Sequence, residues 1–328
     1  MLHITNGDAA VGRLREAGIA GDMLPWRDVL HEGPVPAGLP LAELRAVRAR
    51  FIAERGWGEF VAVLDAFTRR DATLAGFRDH DEVVLWFEHD LYDQLQLIQL
   101  LDWLAQQDRG ATQLSLIAPD TYIGTLRPEQ LRDLFLRRHA ITPQEFGLGS
   151  QAWAAFRAPD PQAIAALLQA DTAALPFLAG ALHRHLEQFP ATQNGLSRSE
   201  AQALAAITSG RSSIREAYIA SHHEMEERIF LGDTVFAWYL ERLSQGPNPL
   251  VLLEDGGAIT TPREPGAHAS FWNSRVVLTG LGQAVLDGGR DWIAINGIDR
   301  WLGGVHLSGS TAAWRWDAAA RQLHYIDT

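Results

Sequence analysis

The segment EVVLWFEHDLYDQLQLIQLL, residues 82 to 101, decides the fold class because its pattern changes halfway along. Residues 82–87 form a short, mostly apolar run, which is typical of a strand buried on both faces. The apolar residues that follow recur at the spacing of one helix face: Leu91, Leu95, Ile98 and Leu101. The segment therefore predicts a buried strand followed at once by an amphipathic helix.

The same alternation continues along the first part of the chain. Further strand-like runs lie at residues 2–5, about 22–26 and 114–118, and helical patterns lie at residues 9–17, about 41–70, 91–105 and 128–138. Apolar strands that alternate with amphipathic helices indicate a parallel sheet covered by helices on both faces. We therefore predict an α/β fold in which residues 1–145 form a Rossmann-like domain.

After residue 145 the alternation of strand-like and helical patterns ends. Residues 146–193 are predicted to be a helical connector, and Asn194-Gly195 ends it. Ser197 and Glu200, three residues apart, form a capping box that opens a new helix. Three helical patterns and then strand-like runs follow, which is the order of a winged helix-turn-helix. Residues 194–328 are therefore expected to form a winged-helix-like domain.

Composition excludes several kinds of chemistry. The chain of 328 residues has no cysteine, so disulfides, thiolate nucleophiles and cysteine-bound metals are excluded. All 28 basic residues are arginine, which excludes a Schiff-base lysine and the lysine of a P-loop. A metal site would have to use histidine, aspartate and glutamate.

Charge and hydropathy bear on the partners. The formal net charge of -12 disfavours a general attraction to nucleic acid. No apolar run has the length of a membrane span, and MLHITNGD at the start does not resemble a signal peptide. We therefore expect a cytoplasmic protein without a membrane partner. DNA binding by the winged helix is a less favoured alternative, and a homo-oligomer is compatible with the sequence.

Polar residues follow each predicted strand of the first domain. In an open parallel sheet, ligands bind beyond the carboxyl ends of the strands. The candidate catalytic residues at these ends are Asp8, His31, Glu88 and His89. The candidate substrate-binding residues are Asn6, Gly7, Trp26, Asp28, Asp90 and Gln94. If these ends converge, the natural ligands are a divalent metal held by oxygens or a hydroxyl-rich or cationic small molecule.

A second interpretation of these residues needs no ligand. Asp8, Asp90 and Asp120 each precede a helical pattern, where an aspartate accepts backbone N–H groups as an N-cap. One cap does not explain why Glu88, His89 and Asp90 occur together. His89 or His31 would serve as a general base if a carboxylate orients it. The function hypotheses are thus a small-molecule-binding or metal-assisted enzyme-like protein, a ligand-sensing DNA-binding regulator, and a protein-interaction module.

Several strings of the sequence also carry a family resemblance. They are HITNGD at 3–8, PWRDVLHEGPVP at 25–36, LWFEHDLYDQLQLIQLL at 85–101, LRPEQL at 126–131 and NGLSRSE at 194–200. Together they resemble a bacterial family of uncharacterised proteins known as domain of unknown function 1835. The resemblance runs through the first 150 residues and continues along the chain. It implies a family and no particular reaction.

Overall fold

The computed structural model describes residues 1–262 and 268–326, and the chain divides into two compact units. The first unit comprises Met1–Ala53, Gly58–His183 and the short segment Gly303–Val305. The second comprises Glu54–Trp57, Arg184–Leu302 and the residues from His306 on.

The first unit is a mixed α/β structure. Its strands are β1 (Leu2–Thr5), β2 (Asp22–Pro25), β3 (Gly33–Pro34), β4 (Glu82–Trp86), β5 (Gln113–Ile117) and β6 (His139–Ala140). Its helices are α1 (Asp8–Glu16), α2 (Leu41–Glu54), α3 (Phe60–Ala75), α4 (Leu91–Ala105), α5 (Pro128–Leu136), α6 (Pro143–Arg157) and α7 (Gln162–Leu167). Helix α8 (Leu178–Leu186) continues into the second unit. The predicted alternation of strands and helices is confirmed.

Five of these strands form one sheet in the order β2-β1-β4-β5-β6. The first four are parallel, as predicted, and β6 runs antiparallel to β5 at the edge. Every residue of β1 and β4 is buried, which explains their nearly continuous apolar sequence. Val84 and Trp86, on one face of β4, pack with residues of α1 and α5.

One helical pattern is broken where the sequence suggested continuity. The pattern predicted over about 41–70 is two helices, since α2 ends at Glu54 and α3 begins at Phe60. Gly56 adopts a φ of 74°, in the left-handed region that glycine reaches without a steric cost and that ends a helix. The apolar period on either side of this glycine concealed the break.

The second unit is mainly helical in its first half. It contains α9 (Arg198–Thr208), α10 (Ile214–Ile219), a π-helical turn at Ala220–Glu224, α11 (Asp233–Ser244), α12 (His268–Asn273), α13 (Gly280–Leu286) and α14 (Trp292–Asn296). Strands β7 (Val251–Leu253) and β8 (Val276–Leu278) form an antiparallel pair. Strands β9 (Ile298–Gly303) and β10 (Val305–Gly309) are hydrogen-bonded neighbours, and β11 (Trp314–Asp317) pairs antiparallel with β12 (Gln322–Tyr325).

The N-terminus of α9 has the cap that the sequence predicts. The hydroxyl of Ser197 accepts from Glu200 N at 3.3 Å, and the Glu200 carboxylate accepts from Ser197 N at 2.8 Å. Among the described residues, no helix combines the length and the apolar character needed to cross a membrane.

Candidate functional site

The strand order reverses between β1 and β4. These two parallel strands are neighbours, but the chain leaves β1 toward β2 on one side and leaves β4 toward β5 on the other. Such a reversal separates the loops at the carboxyl ends of the two strands, and ligands of open α/β sheets bind there. Asn6 and Gly7 follow β1 at this point, and residues 88–90 follow β4.

Three carboxylates come together at the end of β4. We call Glu88, Asp90 and Asp93 the acidic cluster, because one oxygen from each lies within 4.8 Å of the other two. Their exposed fractions are 5%, 4% and 1%, so all three are removed from bulk water. Asp90 is the N-cap of α4 and accepts from Asp93 N at 3.2 Å, which confirms its predicted capping role.

Hydrogen bonds fix the acidic cluster to the loops around it. Asn6 Nδ2 donates to Asp93 Oδ2 at 2.7 Å, and Glu88 N donates to Asp93 Oδ1 at 2.6 Å. Ile123 N donates to Glu88 Oε1 at 2.7 Å, and Gln94 Nε2 donates to the backbone oxygen of Glu88 at 2.6 Å. The segments after β1, β4 and β5 therefore meet at these carboxylates.

The close approach of buried carboxylates changes their acidity. Burial, opposed by the hydrogen bond from Ile123 and assisted by the charge of Asp90, raises the pKa of Glu88 to about 7. Burial, with the charges of Asp90 and Glu88, also holds the pKa of Asp93 well above its ordinary value. A cation or a bound proton would relieve the repulsion within this cluster.

The cluster fits a hard divalent cation. Carboxylate and amide oxygens are the ligands that Mg²⁺, Ca²⁺ and Mn²⁺ prefer in proteins. Two ligands of one Ca²⁺, each bound at about 2.4 Å, lie at most about 4.8 Å apart. The separations within the acidic cluster stay inside this limit. Each carboxylate that accepts one or two hydrogen bonds still has lone pairs for a cation.

The two candidate histidines, His89 and His31, have aromatic neighbours. His89, between two members of the acidic cluster in sequence, has its ring 4.8 Å from that of Tyr122 and 5.9 Å from that of Phe177. His31 is buried, and its ring lies 5.8 Å from that of Tyr92 at the start of α4.

Other candidates have partners of their own and do not join the acidic cluster through hydrogen bonds. Asp8 is exposed and pairs with Arg27 Nε at 2.7 Å. Asp28 is buried and pairs with Arg48 at 2.8 Å. Trp26 donates from Nε1 to Gln99 at 2.8 Å. Gly7 has open space where a Cβ would stand, so nothing in the structure crowds this turn.

Asp93 belongs to the site, although it is absent from the candidates that the sequence suggests. Its position three residues after the Asp90 cap resembles an ordinary acidic residue in the first turn of a helix. The available signal was the spacing of three carboxylates, at 88, 90 and 93, around one strand-to-helix turn.

A pocket of about 380 Å³ adjoins the acidic cluster. Its wall includes Gln94, the residue that holds the backbone oxygen of Glu88, and Phe177, the ring beside His89. Residues 117–119, at the carboxyl end of β5, also line it. It lies on the carboxyl side of the sheet at β5, one strand away from the reversal of strand order between β1 and β4.

No protein-family model matches the chain, and a comparison with curated proteins gives no match either.

Proposed function

We propose that the first unit is a Rossmann-like domain that binds a small molecule with the help of a divalent cation, as a metal-assisted enzyme does. The observation that carries this proposal is the acidic cluster: three buried carboxylates within 4.8 Å of one another at the point where the strand order reverses. Packing alone gives no reason to bury three like charges, because each one costs free energy in a poorly solvated place.

Each residue of the acidic cluster and its neighbours would have a separate role. Glu88, Asp90 and Asp93 would hold the cation, and Asn6 would orient Asp93 through the bond at 2.7 Å. The cation would act as a Lewis acid on a bound oxygen. His89, next to both the cluster and Tyr122, would exchange a proton with the ligand. We also propose that the chain belongs to the bacterial family that its sequence resembles, domain of unknown function 1835.

A thermal-shift experiment tests the cation. Mg²⁺, Ca²⁺ or Mn²⁺, added to protein treated with a chelator, should raise the melting temperature by a few degrees, since a ligand that binds only the folded state stabilises it. Glu88→Gln should remove this rise because it replaces a charged ligand of the cation with a neutral side chain of similar shape.

Glu82→Gln is the matched control. Glu82 lies on the same strand, β4, and pairs with Arg138 at 2.7 Å outside the acidic cluster. This variant should melt at a lower temperature and keep the full response to the cation. Equal responses of the wild type and Glu88→Gln, or no response to any of the three ions, would contradict the assignment.

The helices of the second unit are the basis of the alternative, a DNA-binding regulator. We propose that α9, α10 and α11 with the β7–β8 pair form a winged-helix-like domain, which the order of these elements supports. The position of α11 favours protein contacts over DNA, since most of this helix is buried, including Phe236, Trp238 and Tyr239.

A further inference from the structure

The pocket beside the acidic cluster has one charged feature that the proposed function leaves unused. Arg137, the C-cap residue of α5, is on its wall. Its Nε donates to Asp133 O at 3.2 Å within its own helix. Arg137 forms no ion pair with a carboxylate of the described residues, and it is exposed. A guanidinium in this state is available to an anion from solution.

The other charged groups of the pocket are already satisfied. Glu145 accepts from His139 Nε2 at 2.7 Å, from Thr142 N at 2.7 Å and from the Thr142 hydroxyl at 2.9 Å. These three contacts leave its carboxylate little demand for a cationic ligand. Arg137 is therefore the group whose charge a ligand would balance.

Most of the other residues that line the pocket have apolar side chains. They include Leu97, Leu116, Leu134, Leu175 and Phe177. Gln94 adds one amide, whose Nε2 is used by Glu88 O, and its Oε1 accepts from no described residue. A volume of about 380 Å³ falls at the small end of the range of ligand pockets, which suits a metabolite better than a nucleotide.

We propose that this pocket binds a small organic carboxylate with an apolar body, and that Arg137 recognises the carboxylate. The apolar body lies against the leucines and Phe177, where burial of its surface supplies the non-specific part of the affinity. The guanidinium supplies specificity, because it pairs with a carboxylate through two parallel hydrogen bonds and repels an amine of the same length. This inference goes beyond the proposed function, since carboxylate recognition by Arg137 needs no cation in the acidic cluster.

The test compares three six-carbon probes by ligand-observed NMR titration of the full chain in the presence of a chelator. Hexanoate should bind at least about tenfold more tightly than hexanol, the increment expected for a hydrogen bond to a charged group, and hexylamine should not bind measurably. Arg137→Gln should remove the preference of hexanoate over hexanol. Arg15→Gln, which changes another exposed arginine of the same unit, should keep it.

A second variant tests the cavity itself. Ala174 lines the pocket and is partly exposed, so Ala174→Trp fills the space with little demand on the core. It should abolish binding of both hexanoate and hexanol while the melting temperature stays close to that of the wild type. Similar affinities for the three probes, or a preference for hexanoate that survives Arg137→Gln, would overturn the proposal.

The outcomes separate this proposal from the proposed function. Hexanoate selectivity without any response to divalent cations would leave the pocket assigned and remove the metal site. A cation response that depends on Glu88, without hexanoate selectivity, would support the metal site and overturn the carboxylate pocket. Glu88→Gln should keep the preference for hexanoate, because Arg137 binds the carboxylate and the acidic cluster does not.

Discussion

Glu88 stands at the end of a buried strand, accepts a hydrogen bond from Ile123 and faces two other carboxylates. Burial and the neighbouring carboxylates disfavour the charged form of Glu88, whereas the hydrogen bond from Ile123 favours it. Their balance raises its pKa to about 7, compared with 4.5 for an ordinary glutamate. The charged form of this residue is thus costly in the folded protein unless a cation accompanies it.

The pH dependence of stability follows from this shift. Between pH 4.5 and about 7 the folded protein holds the Glu88 proton more tightly than the unfolded chain does. Its contribution to the free energy of unfolding is therefore full below pH 4.5 and decreases as the pH rises through 7, by up to about 3 kcal/mol.

We expect Glu88→Gln to reduce this decrease, since glutamine is neutral at every pH and can still accept from Ile123. Urea unfolding of both proteins at pH 5 and pH 8, without divalent ions, measures the effect. The variant should be the more stable of the two at pH 8. A variant that is less stable than the wild type at pH 8 by as much as at pH 5 would show that Glu88 is charged and satisfied in the fold.

Contacts between residues close in sequence could be predicted, whereas contacts between distant residues could not. The Asp90 cap follows from its place before a helical pattern, because capping is a matter of residues three apart. The bond between Asn6 and Asp93 joins residues 87 positions apart, and no local pattern encodes it. Asp93 therefore looked like a first-turn acidic residue until the fold placed Asn6 against it.

Among the elements, α4 and α6 pack with little space between them. A Cβ added at Gly149 in α6 would lie 2.5 Å from the Cβ of Leu101 in α4. At Gly147, in the same helix, an added Cβ would meet nothing within 4 Å. Both glycines lie in α6 and only Gly149 has a close neighbour, so Gly147 is the matched control for a substitution at Gly149.

Gly149→Ala should therefore destabilise the protein by about 1–3 kcal/mol, the usual cost of overpacking a core. Gly147→Ala should stabilise it by up to about 1 kcal/mol, because alanine is the better helix former. Chemical denaturation of the two variants under identical conditions measures both. If both substitutions stabilise the protein, the close contact of α4 with α6 is absent in solution.

Element prediction succeeded where period and length agreed. The buried strands β1, β4 and β5 were predicted from short, nearly continuous apolar runs, and helix α4 from apolar residues at the spacing of one helix face. The edge strand β6 has only two residues, too few to show a period. The break after α2 depends on the backbone conformation at Gly56, which hydropathy does not report.

For the whole molecule, the acidic charge and the placement of the arginines bear on the DNA-binding alternative. Arg198 pairs with Glu187 at 2.7 Å, Arg211 with Glu224 at 2.9 Å and Arg242 with Glu200 at 3.4 Å. Cations that are neutralised in this way contribute little to phosphate binding.

We expect no shift of a short duplex DNA in a gel at low salt and micromolar protein, since counterion release needs several free cations on one surface. Retardation that weakens steeply with added salt would instead support the regulator. The matched variant is Arg215→Gln, which changes an exposed arginine in α10 and should alter the result only if DNA is bound there.

The assembly of the site depends on sheet order, which the sequence did not specify. Alternating elements predicted a parallel sheet and placed polar residues at its strand ends, but any order of four strands satisfies that pattern. The order β2-β1-β4-β5 sets Asn6 beside residues 88–93 and leaves Asp8 and Asp28 with arginine partners. Non-local strand pairing thus decided which candidates meet.

The most direct test of the metal assignment is the anomalous diffraction of crystals grown with Mn²⁺. We expect a peak at coordination distance, about 2.2 Å, from oxygens of Glu88, Asp90 and Asp93 in the wild type, and its loss in Glu88→Gln. Wild-type crystals with no peak at the acidic cluster, while Mn²⁺ is bound elsewhere or not at all, would show that these carboxylates do not hold a metal.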